Sequence, residues 1–121
     1  MTHFDLGNKE TAQNYIDKAL KLSIKNKQKN FEGSSKILLG RILGNIDTSR
    51  TKEAEAYILE GIHILETLKL KSQYPIGYLV LAELYANTGR KFKALMNLFK
   101  ARRMFKEMGM DYWLEKAKIL S

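Results

Sequence analysis

Residues 75–108 read PIGYLVLAELYANTGRKFKALMNLFKARRMFKEM, and this stretch decides the fold. Pro75 suits the first turn of a helix, where its missing N–H group costs nothing. Apolar residues then recur at helical spacing: Tyr78, Leu81, Ala82, Leu84 and Tyr85. Gly89 predicts the end of this helix, because glycine readily adopts the left-handed conformation found there. A second amphipathic helix is marked by Phe92, Leu95, Leu98, Phe99, Met104 and Phe105. Because the joint is so short, the two helices are expected to form an antiparallel hairpin.

One spacing occurs three times along the chain: a small residue, a bulky aliphatic residue four positions later, and a second small residue three positions after that. The three copies are Ala12-Ile16-Ala19, Ala54-Ile58-Gly61 and Ala94-Leu98-Ala101. Recurrence at roughly 40 residues is typical of stacked copies of one helical unit, each of which buries its apolar face against its neighbours. We therefore predict an all-α protein built from antiparallel helix hairpins.

The composition indicates one small domain. The chain has 121 residues, of which 45% are hydrophobic, and this is enough for one continuous core but hardly for two. Cysteine is absent, which excludes disulfides and thiolate metal sites and favours a cytoplasmic location. No leader peptide or apolar span is evident, so we expect neither secretion nor membrane association.

The hairpin resembles a known family, the tetratricopeptide repeat (TPR). The resemblance rests on Tyr78-x2-Leu81-Ala82-x2-Tyr85, followed by Gly89, Ala94, Leu98 and Ala101. It implies a right-handed α-solenoid. A second copy looks similar, with Leu39-Gly40-x2-Leu43 and then Ala54, Ile58 and Gly61. Its inter-helix turn, at residues 45–53, is longer, and the capping residues Asp47, Thr48 and Ser49 predict a helix that begins near Thr51.

This repeat phase divides the single domain, residues 1–121, into four parts. Residues 1–29 form a partial repeat, residues 30–72 and 75–108 form two full repeats, and residues 111–120 form a capping helix. Asp111 is placed to cap that last helix, and its apolar face contains Trp113, Leu114, Ala117 and Leu120.

The N-terminal part of the chain is irregular. Gly7 precedes Ala12 by five residues, as Gly89 precedes Ala94, so residues 1–6 correspond to only half a helix, and the next helix is expected from Ala12 to about Lys27. Its apolar stripe is then partly uncovered: Tyr15, Ile16, Ala19 and Leu20. Two explanations remain open. Either the chain is a fragment of a longer solenoid, or this face is buried in a homodimer.

Two further segments narrow the resemblance. Residues 105–115, FKEMGMDYWLE, and residues 33–42, GSSKILLGRI, are similar to the C-terminal TPR region of bacterial class III adenylate or guanylate cyclases and related multidomain ATPase regulators. This resemblance implies a regulatory or assembly region attached to an enzyme, and no catalytic residue of a cyclase matches a position of this chain.

No catalytic or metal-binding constellation is evident, so we predict that the chain is not an enzyme and needs no cofactor. The chain has two histidines, His3 and His63, which lie 60 residues apart, and it has no cysteine. No pair of these residue types therefore has the short spacing typical of metal ligands. Glu53, Glu55 and Glu60 are predicted to form a solvated helix face. The segment at 40–44, GRILG, lacks the lysine of a phosphate-binding loop, and Gly40 is predicted to allow close helix packing.

The net charge of +8 is unevenly distributed. Lysines crowd residues 18–29, and cations crowd residues 90–106. The simplest interpretation is a solvated basic surface. An acidic protein partner is the next, and nucleic acid is disfavoured because no recognition motif accompanies the charge. The spacing of Phe92, Phe99 and Phe105 predicts packing rather than an exposed base-stacking surface.

The TPR resemblance implies that the first helix of each repeat lines a concave groove for extended peptides. The positions expected to be exposed there are Ile37, Arg41 and Asn45 in the middle repeat and Leu79, Glu83 and Asn87 in the last. The function expected is therefore a protein-interaction or scaffolding module, which binds a protein, a peptide or another domain of its parent chain. The alternative is a segment that forms a homodimer through its N-terminal face.

Overall fold

The structure is a computed structural model that describes the backbone of residues 6–107 and the side chains of residues 11–107. Within this part the protein is all-α, as predicted. Its five helices are α1 (Leu6–Lys25), α2 (Lys29–Ile46), α3 (Thr51–Thr67), α4 (Tyr74–Asn87) and α5 (Lys91–Glu107). None of these five is long and apolar enough to cross a lipid bilayer. The predicted capping helix at 111–120 lies outside the described residues.

Helix α1 begins earlier than predicted. The repeat phase placed Gly7 at a turn, and this was wrong, because Gly7 lies in the first turn of α1. The residues that follow it, Lys9, Glu10 and Ala12, are good helix formers and extend the helix toward the N-terminus.

The longer turn between α2 and α3 is ordered by side chains. Asp47 Oδ1 accepts hydrogen bonds from the backbone N–H of Ser49 at 2.9 Å and from its hydroxyl at 2.7 Å. These bonds lower the pKa of Asp47. One turn of 3₁₀-helix, Thr48–Arg50, follows, and α3 then begins at Thr51, where the sequence predicts it.

The turn between α4 and α5 depends on a glycine. Gly89 has a φ angle of +79°, which confirms that a left-handed residue ends α4. The Thr88 hydroxyl donates to the Leu84 carbonyl at 2.9 Å and so satisfies one of the last carbonyls of the helix.

Each helix packs against the next one along the chain, and α2 also contacts α4. Helices α2 and α3 approach each other closely at two glycines. A Cβ atom on Gly40 would lie 2.6 Å from the Ala54 carbonyl oxygen, and one on Gly61 would lie 2.5 Å from that of Gly33. The predicted packing role of Gly40 is therefore confirmed.

Two tyrosine–glutamate bonds tie α4 to α3. Tyr78 donates to Glu66 at 2.8 Å, and Tyr85 donates to Glu55 at 2.5 Å. Arg90 also donates to Glu55, at 3.2 Å. Glu55 therefore joins two helices, and its prediction as a merely solvated residue is wrong. Burial, followed by the bond to Glu55, raises the pKa of Tyr85 to about 12.

Candidate functional site

A groove of about 660 Å³ runs between α1, α2 and α4, and we call it the α1–α2–α4 groove. The lining residues come from all three helices: Ala12, Tyr15 and Ile16; Leu38, Arg41, Ile42 and Asn45; Glu83 and Asn87. The sequence assigned Tyr15 and Ile16 to a self-association face and Arg41, Asn45, Glu83 and Asn87 to a peptide groove. The structure brings these two sets together around one concavity.

An ion pair between Arg41 and Glu83 lies inside this groove. Arg41 Nε donates to Glu83 Oε1 at 3.0 Å, and Arg41 Nη2 donates to Glu83 Oε2 at 3.3 Å. This two-bond pairing orients both side chains and leaves little net charge in the groove. Asn45 and Asn87 are exposed on the same two helices, one turn beyond Arg41 and Glu83. Their amides are able both to donate to and to accept from a polypeptide backbone.

Two residues predicted to be exposed in the groove are buried. Ile37 is only 7% exposed and Leu79 only 6%, so this part of the prediction is wrong. A Cβ on Gly61 of α3 would lie 2.6 Å from Ile37 Cγ1, and a Cβ on Gly77 of α4 would lie 3.0 Å from Ile37 Cδ1. Ile37 thus fills the junction of three helices, although one side of it lines a smaller cavity of about 220 Å³ between α2 and α4.

The predicted apolar stripe on α1 is covered unevenly. Tyr15 is 73% exposed and Ala19 is exposed, whereas Ile16 is half-buried. Leu20 is buried in the core, so it belongs to no free face. The half helix was predicted over residues 1–6. Of these, residues 1–5 lie outside the described part of the chain, and Leu6 is the first residue of α1.

Some apolar residues that line the groove were not predicted from the sequence. Leu38 is 41% exposed and Ile42 half-buried, and both lie between the helical positions that were selected. Leu38 and Ile42 are four residues apart on α2, which places them on one helix face. This spacing could have identified them as groove residues from the sequence.

The phenylalanines of α5 also differ from the prediction. Phe105 is fully buried, as expected of a core residue, but Phe92 is 75% exposed and Phe99 is 57% exposed. The predicted packing of Phe92 and Phe99 is therefore wrong. The Arg102 guanidinium lies 5.9 Å from the centre of the Phe99 ring. A third cavity, of about 390 Å³, lies between α4 and α5 and is lined in part by Ala82, Ala94 and Leu95.

The α3 side chains considered for chemistry in the sequence are exposed: Glu53, Glu60 and His63. His3 lies outside the described part. Within residues 11–107, no three histidine, aspartate or glutamate side chains are grouped so as to hold a metal ion. Glu53 and Glu60 pair with Arg50 and Lys36 at 2.9 and 3.0 Å.

Comparisons with known proteins identify no relative. No protein-family model, curated protein or solved structure matches the chain.

Proposed function

We propose that this protein is a protein-interaction module that binds a polypeptide segment in the α1–α2–α4 groove. The observation that carries the proposal is the joint lining of this groove by exposed apolar side chains and by polar groups suited to a peptide backbone. Leu38, Ile42 and Tyr15 offer apolar contact, and Asn45 and Asn87 offer amides. The volume of the groove, about 660 Å³, falls within the usual range for ligand-binding sites, roughly 300–1,000 Å³.

The arrangement proposed for the helices is a right-handed TPR-like α-solenoid. Two copies of the recurrent spacing support it, because Ala54, Ile58 and Gly61 on α3 and their counterparts on α5 are all buried against the preceding helix. Such arrays expose long concave surfaces for partners, which accounts for a groove that three helices share.

The wider role proposed is a cytoplasmic C-terminal regulatory fragment of a larger bacterial signalling protein, such as a nucleotide cyclase. The sequence resemblance of residues 33–42 and 105–115 supports this role. In that setting the module has no enzymatic activity of its own, and its ligand is another protein or another domain of the parent chain.

A second candidate is a homodimer formed through α1. The exposure of Tyr15 and Ala19 favours it, because large apolar side chains that are exposed beside small ones offer a flat surface for a second helix. Light scattering after size exclusion tests it: a dimer that the substitution Tyr15→Glu converts into a folded monomer supports this candidate, and a wild-type monomer at all concentrations excludes it.

The main proposal is tested by selecting peptides from a random 16-residue display library on the immobilised full chain. Selected peptides are then titrated against two variants, Leu38→Glu in the groove and Leu59→Glu on α3. The two leucines are 41% and 44% exposed, so they are matched apart from their location. We expect Leu38→Glu to weaken binding at least tenfold and Leu59→Glu to leave it unchanged. Selected peptides that bind both variants equally well would contradict the groove as the binding site.

A further inference from the structure

Helix α5 carries an apolar stripe on the side that faces away from the protein. Phe92 is 75% exposed, and Met96 and Phe99 are each 57% exposed. These residues are four and three positions apart, so at 3.6 residues per turn they lie within about 60° of one another around the helix. The buried residues of α5 lie on the opposite side: Ala94, Leu98, Ala101 and Phe105. The helix therefore has two apolar faces, of which only one is used in the hairpin.

The fold itself does not require this second face. Matching Ala94 of α5 with Ala54 of α3 places Phe92, Met96 and Phe99 opposite Lys52, Ala56 and Leu59. Helix α3 thus has a cation and a small residue where α5 has Phe92 and Met96, and it packs in its hairpin nonetheless. Two exposed phenylalanines and a methionine, on a surface whose counterpart on α3 has a single leucine, indicate contact with a partner.

Cations surround the stripe. Helix α5 contains six of them against a single acid, Glu107: Lys91, Lys93, Lys100, Arg102, Arg103 and Lys106. The salt bridges among the described residues involve none of these six cations. Arg103 lies close to the line of the stripe. Lys93 and Lys100 lie along one edge of it, where their ammonium groups also contact the rings of Tyr85 and Tyr78 on α4. A partner of this face has to be both apolar and anionic.

The shape of the face favours a lipid surface over a folded or peptide partner. None of the three cavities described above is lined by Phe92, Met96 or Phe99. The three side chains project from a convex helix and form no groove for a peptide. Projecting phenylalanines enter the boundary between headgroups and acyl chains, while the long lysine and arginine side chains reach the phosphates.

We propose that the outer face of α5 binds anionic membrane surfaces, with Phe92, Met96 and Phe99 inserted and the surrounding cations on the lipid phosphates. The helix lies parallel to the membrane plane, because its inner face remains packed on α4. Each cation near an anionic leaflet adds to the attraction, and the attraction weakens as salt rises. This surface is separate from the α1–α2–α4 groove, and the membrane contact proposed for it departs from the absence of membrane association expected from the sequence.

The test is sedimentation of the full chain with phosphatidylcholine vesicles that contain no or 40% phosphatidylglycerol. We expect at least tenfold stronger partitioning into the anionic vesicles. The double variant Phe92→Ser, Phe99→Ser is expected to lose at least tenfold of this partitioning, whereas the matched variant Leu59→Ser, whose leucine is exposed on α3, loses less than twofold. Circular dichroism at 222 nm checks that both variants keep the helical fold.

Two results would overturn the proposal. Equal partitioning of the wild type and the double phenylalanine variant would mean that net charge alone attracts the protein to the vesicles. Phenylalanine-dependent binding to a soluble random copolymer of glutamate and tyrosine, without binding to the vesicles, would mean that the face recognises an acidic protein. Neither result would affect the groove, whose test uses Leu38.

Discussion

The hairpins α2–α3 and α4–α5 follow one sequence pattern but pack by different means. In α2–α3 the contact is made by glycines, and Cβ atoms on Gly40 and Gly61 would lie 2.6 and 2.5 Å from backbone oxygens of the facing helix. In α4–α5 the equivalent positions, Ala82 and Ala101, carry methyl groups that are themselves buried. The first hairpin therefore has no room for a methyl group at these positions, whereas the second hairpin buries one at each. The difference shows that one sequence pattern accepts either glycine or alanine at the helix contact, since each has to fit the packing around it.

The largest difference between the hairpins is expected from their equivalent large core residues. Phe105 is 0% exposed and Leu65 is 1% exposed. Truncation of Phe105 to alanine should lower the free energy of unfolding by about 4 kcal/mol and truncation of Leu65 by about 3 kcal/mol, because the phenyl ring leaves the larger cavity. Urea denaturation followed by circular dichroism measures both. A larger loss for Leu65→Ala would mean that the close α2–α3 contact, rather than the ring, dominates the core.

A methyl group added between α2 and α3 tests the backbone contact directly. Gly61→Ala should cost about 3 kcal/mol, since the new Cβ meets the rigid carbonyl of Gly33 and overpacking exceeds the gain in helix propensity. Gly44→Ala is the control, because its Cβ would lie 2.8 Å from a movable methyl of Leu84. The control should change stability by less than about 1 kcal/mol. Equal effects of the two substitutions would show that α2 and α3 separate easily.

The reverse exchange tests the second hairpin. Ala101→Gly removes a buried methyl group and weakens the helix, and each of these effects costs about 1 kcal/mol. We therefore expect a loss of about 2 kcal/mol, measured by the same urea titration. A gain in stability would indicate that α4 and α5 can move together into a glycine-mediated contact like that of α2–α3.

The smallest effect at neutral pH is expected from the bond that joins the two hairpins. Tyr85→Phe removes the hydroxyl that donates to Glu55 and should cost about 1 kcal/mol. The pKa of Tyr85 is raised to about 12 in the folded protein, so its contribution is complete below about pH 10 and is lost as the pH rises toward 12. Thermal melts from pH 8 to 12 should therefore show a smaller alkaline loss in Tyr85→Phe than in the wild type. Parallel losses would contradict the assigned pKa.

Local sequence signals predicted α3, α4 and α5 well but placed the start of α1 too late. Gly89, the capping residues around Asp47 and the recurrent small residues act over a few positions, so they are visible without knowledge of the tertiary structure. The candidate site was predicted only in part. Arg41 and Glu83 were each selected, but their pairing across the groove depends on how α2 and α4 are placed relative to each other.

The burial of individual apolar side chains was predicted least well, and the predictions were wrong in both directions. Ile37 and Leu79 were expected on the surface and are buried, whereas Phe92 and Phe99 were expected to pack and are exposed. Periodicity identifies the apolar positions of a helix, but it does not say which of them another helix will cover.

The sequence by itself determined the all-α class, the turn at Gly89, the start of α3 and the small residues through which α2 and α3 approach, because each depends on backbone preferences or on side-chain size at one position. Only the tertiary structure decided which apolar faces are covered. It joined α1, α2 and α4 around one groove and left the outer stripe of α5 exposed. The physical reason is that burial depends on neighbours that lie far apart along the chain, and their positions are set by the packing of all the helices together.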